Sequence, residues 1–180
     1  MAFVTAAGIA AAASTAMAGM AGANALMDTS YRVSVGIEVE NWTKFRLTDA
    51  IATPYSGQIN KPPSEILPGN KGPMAARKSH TVACGSVGTV SWKIETGNSR
   101  QDRRLIVMWS MPFNHDHYDN ILAVGITKPG RADIEEGHGW YKFMYYDDKA
   151  DEVKNTFGYK RGNYGTSSRE IQYTGIPNLT

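Results

Sequence analysis

Ten consecutive residues, from Tyr31 to Glu40, alternate between apolar and polar side chains. Successive side chains of a β-strand point to opposite faces, so this period of two is typical of a strand with one buried face. The side chains predicted to face the core are Tyr31, Val33, Val35, Ile37 and Val39. The charged part of the chain therefore begins with a half-buried β-strand.

Short segments with β patterning continue to the end of the chain, separated by glycine- and proline-rich turns. Residues 105–109 are a continuous apolar run, which predicts a central strand buried on both faces. Residues 54–72 are rich in Pro and Gly and predict a loop with at most one short strand. Outside the N-terminal segment, one helix is predicted, over residues 132–147. Further strands are predicted at 45–53, 82–96, 121–127, 157–160 and 170–174.

Together these elements predict a mainly β protein: a β-sandwich flanked by two α-helices. The second helix is predicted at the N-terminus, because residues 1–27 contain twelve Ala and no charged side chain. A helix of that length spans about 40 Å, more than the ~30 Å hydrocarbon core of a bilayer. We therefore predict two parts, a membrane-inserting amphipathic segment at 1–27 and a β-sandwich at 28–180. A secretory signal peptide and an unstructured tail remain alternatives for the first part.

Composition excludes several classes of function. The formal net charge of +2, without a basic stripe interleaved with aromatic residues, gives no indication of nucleic-acid binding. The single cysteine, Cys84, cannot form an internal disulfide, and its apolar surroundings predict a buried small residue. His115 and His117 would face the same side of a strand, but no spacing rule supplies a third metal ligand. We predict neither an enzyme nor a bound metal or cofactor.

Aromatic residues concentrate in two segments, at 110–118 and 140–146. If the second segment is helical, Trp140, Phe143 and Met144 share a face that packs on the sheet. Tyr141 and Tyr145 then lie on the adjacent face, outside the core. Tyrosine rings suit both membrane interfaces and quaternary ammonium groups. A half-buried rim of the core is the alternative interpretation.

These segments, in this order and spacing, resemble the actinoporins and actinoporin-like proteins over nearly the whole chain. The matching segments are Tyr31-Arg32-Val33-Ser34-Val35-Gly36, Val82-Ala83-Cys84-Gly85-Ser86-Val87-Gly88, Ser110-Met111-Pro112-Phe113 with Tyr118 and Asn120, Tyr141 with Tyr145-Tyr146, Gly158-Tyr159, and Ser167-Ser168. The segment from Ala2 to Ser14 is similar to the family's N-terminal stretch, with Phe3 and Ala10 where acidic residues are usual.

The resemblance implies a secreted cytolysin that binds phosphocholine headgroups, sphingomyelin included, and acts at a target cell membrane. Its N-terminal helix detaches on membrane contact, and several identical protomers form a cation-permeable pore. The implied headgroup-binding residues are Ser56, Val87, Ser110, Pro112, Tyr118, Tyr141, Tyr145 and Tyr146. The serines would donate hydrogen bonds to phosphate, and Tyr118, Tyr141 and Tyr145 would surround the trimethylammonium group.

Three further positions depart from the family pattern in the region expected to meet the membrane. The family's membrane-anchoring tryptophans correspond here to His117, Ile121 and Leu122. A non-lytic lipid- or glycan-binding module, similar to a lectin and built on the same scaffold, is therefore the alternative function.

Overall fold

The computed structural model contains two antiparallel five-stranded sheets that pack face to face as a β-sandwich. The described residues comprise the backbone alone of 4–9, 157–164 and 169–173, and the complete residues 33–80, 83–114, 118–132 and 139–146. The first sheet has the order β10-β1-β2-β5-β4, and the second has the order β3-β6-β7-β8-β9. The predicted mainly β sandwich is confirmed.

The strands are joined by connections of different lengths. Their bounds are β1 Val4–Ile9, β2 Ser34–Asn41, β3 Arg46–Ser56, β4 Gln58–Lys61, β5 Lys71–Arg77, β6 Ser86–Glu95, β7 Arg103–Met111, β8 Asn120–Thr127, β9 Phe157–Tyr164 and β10 Arg169–Tyr173. One helix, α1, extends over Gly139–Tyr145 in the described residues. Within that same part of the chain, no helix is both long enough and apolar enough to cross a bilayer.

Strand β7 lies at the centre of the second sheet and is buried on both faces, as its apolar run predicts. Leu105, Val107 and Trp109 enter the core between the two sheets. Ile106 and Met108 point to the opposite face, where α1 covers them. The continuous apolar run therefore reflects two separate hydrophobic layers, one on each side of the strand.

Strand β2 contributes Val35, Ile37 and Val39 to the predicted core face, and Val33 just before the strand joins the same cluster; Tyr31 lies outside the described residues. Its other face is more buried than predicted, because Ser34 and Glu38 are also largely shielded from solvent. The Glu38 carboxylate lies 3.7 Å from the Lys71 ammonium on the neighbouring strand, which offsets part of the cost of its burial.

The loop predicted over residues 54–72 is wrong in part. Strand β3 continues through Pro54 to Ser56, β4 follows, and β5 begins at Lys71. Proline has no N–H to donate to a neighbouring strand. Pro73 is tolerated in β5 because β4 pairs only with residues 75–77, at the other end of the strand. The Pro and Gly content therefore concealed strands whose prolines occupy permissive positions.

The N-terminal segment differs from its prediction at the residues that are described. Val4–Ile9 is a strand rather than the beginning of a helix, and it pairs with β2 on one side and β10 on the other. Ala propensity for helix is overridden here by two ladders of backbone hydrogen bonds. The helix predicted in the rest of the segment and the boundary at Met27 lie outside the described residues and stay predictions.

Candidate functional site

Three of the predicted site residues form one row across the second sheet. Ser56 on β3 lies directly opposite Val87 on β6, and Val87 lies opposite Ser110 on β7. Paired residues of neighbouring antiparallel strands point to the same face. Val87 packs against the cluster beneath α1, so the row lies on the α1 side of the sheet. The register thus brings together side chains that are far apart in sequence.

Two glycines allow the backbone to close tightly around this row. Gly57 follows Ser56 with a φ of +92°, and a Cβ there would collide with the carbonyl oxygen of Arg77. At Gly85, a Cβ would collide with the carbonyl oxygen of Met111. Any larger residue at either position would push the end of one strand away from its neighbour.

Helix α1 packs across the row and carries two of the predicted tyrosines toward it. Tyr141 and Met144 are its buried residues, packed against Ile106 and Met108 of β7. The expectation that Tyr141 lies outside the core is therefore wrong, since only 7% of its surface is exposed. Its neighbour Tyr145 is half-buried at the edge of the same cluster.

Four tyrosine rings form a continuous stack, here called the tyrosine column: Tyr55, Tyr141, Tyr145 and Tyr146. The centroids of Tyr55 and Tyr141 are 4.7 Å apart, with 22° between the ring planes. Tyr141 and Tyr145 are 5.2 Å apart at 30°, and Tyr145 meets Tyr146 edge-on at 5.0 Å. Each stacked pair contributes about 0.5–1.5 kcal/mol beyond the area it buries. The column is consequently a structural unit as well as an aromatic surface.

Burial and the neighbouring rings raise the pKa of the Tyr141 hydroxyl well above its usual value. Burial is the larger cause, and the Ser110 hydroxyl opposes it by hydrogen bonding to the phenol. Ser110 is itself buried. Because burial outweighs this contribution, the Tyr141 phenol stays protonated at neutral pH.

Tyr55 is the member of the column that the sequence did not predict. Period-two alternation would place it on the opposite face of β3 from Ser56. The register instead shifts between Pro54 and Ser56, which lie opposite Gly88 and Val87. This bulge inserts Tyr55 as an extra residue and redirects its ring onto Tyr141. Pro54 was the available signal, since proline within a strand often marks a bulge.

The remaining predicted site residues surround the column less closely. Ser56 is half-buried, and its hydroxyl donates a long 3.4 Å hydrogen bond to the Gly85 carbonyl oxygen. Pro112 is half-buried immediately after β7. Tyr146 and Tyr118 are 52% and 60% exposed, and Tyr118 lies outside the ring stack. The structure therefore joins Tyr141, Tyr145 and Tyr146 in one stack, with Tyr118 separate from it.

A buried arginine fixes α1 to the sheet beside the column. The guanidinium of Arg104 donates to the Asp49 carboxylate at 2.9 Å, the Asp49 carbonyl at 2.8 Å and the Ser91 hydroxyl at 3.0 Å. It also donates to the Ala132 carbonyl at 3.1 Å and lies 5.9 Å from the Trp140 ring centroid. Asp49 has a φ of +47° at a second register shift in β3. Arg104 thus connects β3, β6 and the residues that lead into α1.

The residues that stand in place of the family's tryptophans differ in where the structure places them. Ile121 and Leu122 are core residues of β8, facing α1 and the sandwich interior respectively. They cannot anchor the protein in a bilayer surface as exposed tryptophans would. His115 and His117 lie outside the described residues. Cys84 is half-buried rather than buried, in the short loop before β6.

Comparison with known proteins identifies the family of the chain. Residues 5–176 match the family model described as sea anemone cytotoxic protein. Tereporin-Ca1 of Terebra anilis is 40% identical over 140 residues, covering 77% of this chain and 70% of that relative. Tereporin-Ts1 of Terebra subulata is 35% identical over 162 residues, covering 89% and 72%. Echotoxin-2 of Monoplex parthenopeus is 35% identical over 152 residues, covering 84% and 52%. The chain belongs to the sea anemone cytotoxic protein family of actinoporin-like pore-forming toxins.

Proposed function

We propose that this protein is a secreted cytolysin that recognises phosphocholine headgroups at the tyrosine column and then perforates the membrane. The observation that carries the proposal is the position of the column, beside the row formed by Ser56, Val87 and Ser110. Membership in a family of pore-forming toxins supports the perforation step.

The chemistry of the site suits a choline-type headgroup. A quaternary ammonium ion has no N–H to satisfy and is held by aromatic ring faces, which the column supplies. The phosphate requires hydrogen-bond donors, and the half-buried Ser56 hydroxyl is more accessible to a ligand than the buried Ser110 hydroxyl. Val87 and Pro112 provide apolar walls between the two polar groups. Sphingomyelin and phosphatidylcholine carry the same headgroup, so both are candidate ligands.

Perforation requires a large change in the N-terminal segment. β1 pairs with β2 and with β10, at four registered positions on each side. Insertion of residues 1–27 would break both ladders and separate β10 from β2. We propose that membrane contact and assembly with identical protomers provide the free energy for this release. The segment has no charged residue to oppose its entry into the acyl-chain region.

Vesicles with and without choline headgroups test the proposal. Full-length protein is added to dye-loaded vesicles of phosphatidylcholine, sphingomyelin with phosphatidylcholine, or phosphatidylethanolamine with phosphatidylglycerol, all with matched acyl chains. Bound protein is measured by flotation and release by dye fluorescence. We expect binding and release only with choline headgroups. Binding without release would support the lipid-binding module instead, and equal release from all vesicles would contradict headgroup recognition.

A further inference from the structure

Arg104 lies on the same face of β7 as Ser110 but far from the proposed headgroup site. The two residues are six positions apart, which corresponds to about 20 Å along an antiparallel strand. Ile106 and Met108 lie between them on this face and pack against α1. The Arg104 side chain is fully buried. Any effect of Arg104 on headgroup binding must therefore pass through the elements that it holds.

The first of these elements is β3, at one of its register shifts. Thr48 lies opposite Lys93 on β6. Ile51, three residues later, lies opposite Ser91, which is only two residues away from Lys93. One extra residue is thereby inserted into β3, as in a β-bulge. Because a slip of one residue would reverse the face of every later side chain, the placement of Ser56 depends on this insertion.

Arg104 binds the inserted region through both the side chain and the main chain of Asp49. Its guanidinium donates to the Asp49 carboxylate at 2.9 Å and to the Asp49 carbonyl oxygen at 2.8 Å. Asp49 has a φ of +47°, which is uncommon for a residue other than glycine. The planar fork of a guanidinium can hold both acceptors at once. Arg104 therefore stabilises the backbone conformation on which the register of Ser56 depends.

The same guanidinium also holds the segment that precedes α1 and the beginning of the helix. It donates to the Ala132 carbonyl oxygen at 3.1 Å, and its central carbon lies 5.9 Å from the centroid of the Trp140 ring. Trp140 is the second residue of α1 and comes directly before Tyr141 of the tyrosine column. One buried side chain thus joins the strand that carries Ser56 to the helix that carries the tyrosines.

We propose that Arg104 is a positioning residue for headgroup recognition, because it sets the placement of Ser56 relative to the tyrosine column. The inference rests on the proposed function, in which the phosphate contacts the serine and the ammonium group contacts the rings. A binding site of this kind requires its groups to be held within about 0.5 Å of the productive geometry. Loss of the Arg104 contacts frees the two parts to move separately. The affinity for the headgroup then falls although no contact with the lipid is removed.

Substitutions at Arg104 are compared with a control that lowers stability elsewhere. Arg104→Met removes the charge and all donors, while Arg104→Lys keeps the charge without the planar fork. Val39→Ala is the control, because it truncates a buried side chain of β2, in the sheet that does not contain Ser56. Stability is measured by urea unfolding. Affinity for free phosphocholine is measured by titration calorimetry, and partitioning onto phosphatidylcholine vesicles by flotation, below the lowest thermal midpoint of the series.

We expect Arg104→Met to weaken phosphocholine binding by about two- to thirtyfold, the range for substitutions that modulate binding at a distant site. Arg104→Lys should have an intermediate affinity, and Val39→Ala should match the wild type despite its loss of stability. Wild-type affinity in folded Arg104→Met would overturn the inference. An equal loss of affinity in Val39→Ala would also overturn it, because affinity would then follow overall stability rather than the geometry of the site.

A measurement on the unmodified protein covers the case of a variant that does not fold. Coupling between two sites is reciprocal, so headgroup binding should also stabilise the contacts of Arg104. The Arg104 Nε–H donates to the Ser91 hydroxyl at 3.0 Å, and we expect its exchange with solvent, followed by NMR, to slow on saturation with phosphocholine. The Trp42 indole N–H, which donates to Glu40 on the other sheet, should not change.

The outcomes of this measurement separate the inference from the proposed function. No slowing at Arg104 while phosphocholine binds would overturn the inference and leave the proposed function intact. Equal slowing at Trp42 would overturn it as well, because binding would then tighten the whole molecule. If the wild type bound neither phosphocholine nor phosphatidylcholine vesicles, the proposed function itself would fail and this inference with it.

Discussion

Tyr141→Ala should destabilise the protein strongly, although it alters a predicted binding residue. Truncation of a buried aromatic side chain to Ala costs about 3–5 kcal/mol. The Tyr141 ring is 7% exposed and also stacks on Tyr55 and Tyr145, pairs worth about 0.5–1.5 kcal/mol each. We expect the free energy of unfolding to fall by about 4 kcal/mol. For a domain of this size, that lowers the thermal midpoint by roughly 8–16 °C.

Two matched variants isolate the parts of this effect. Tyr141→Phe keeps the ring and removes only the buried hydroxyl, so we expect a loss of at most about 1 kcal/mol. Tyr146→Ala removes a ring of the same column that is 52% exposed and makes one edge-on contact, with an expected loss of at most about 1 kcal/mol.

Urea unfolding followed by far-ultraviolet circular dichroism gives these values, with the m-value checked for each variant. Vesicle binding is then compared at a temperature well below the lowest midpoint, so that loss of binding is not confused with unfolding. The reasoning is refuted if Tyr141→Ala loses less than about 1 kcal/mol, or if Tyr146→Ala is equally costly. Either result would mean that the column does not depend on a buried central ring.

Two further predictions concern charged groups that support the fold. Asn at position 49 tolerates the positive φ, but Asp49→Asn removes the charge facing the buried Arg104, so we expect the free energy of unfolding to fall by about 2 kcal/mol. In urea unfolding, the double variant with Arg104→Met should lose less stability than the sum of the two single variants. Additive losses would contradict a direct pairing. Burial raises the pKa of Asp102, but hydrogen bonds from Thr96 and the ion pair with Lys93 at 3.0 Å outweigh it, so the pKa is lowered in the folded state. With an unfolded pKa of about 3.9, the stabilisation is complete above that pH and is lost as pH falls through the folded value. The free energy of unfolding should therefore decline in acid below about pH 4, and Asp102→Asn should flatten that decline; an unaltered slope would argue against the assignment.

Much of the sandwich could be predicted because each central strand has its own hydrophobic pattern. The continuous run in β7 indicated a strand with a hydrophobic layer on each side, and the structure supplies both layers. The start of strand β5 was missed because Lys71 and Gly72 were assigned to the Pro- and Gly-rich loop, and Pro73, which follows them, is normally unfavourable in a strand interior. Pro73 is tolerated because β4 pairs with the other end of β5, and a local sequence pattern does not show where two strands pair.

The sequence predicted which residues form most of the site, but it did not predict how they are arranged in space. The row of Ser56, Val87 and Ser110 follows from strand register, which a single sequence does not specify. Helical spacing placed Tyr141 beside the core face, but the spacing could not show that it is buried and stacks with two other rings. Tyr55 was concealed by the bulge, because one inserted residue reverses the face to which a side chain points.

The N-terminal segment shows the limit of propensity most clearly. Alanine-rich sequence favours helix in isolation, yet Val4–Ile9 pairs with strands on both sides. Deletion of residues 1–27 would remove this strand from the middle of a sheet, so a reversible tether tests its role better. Thr5 lies opposite Glu40 in the register, and cysteines at these two positions would link β1 to β2 when Cys84 is replaced by Ser.

The most direct test of the account is dye release by this tethered protein from phosphatidylcholine vesicles, before and after reduction of the disulfide. The oxidised protein should bind the vesicles as the wild type does and release no dye, because the column is complete while β1 stays in the sheet. Reduction should restore release at unchanged binding. Full release by the oxidised protein would contradict the claim that perforation requires the N-terminal segment to leave the sandwich.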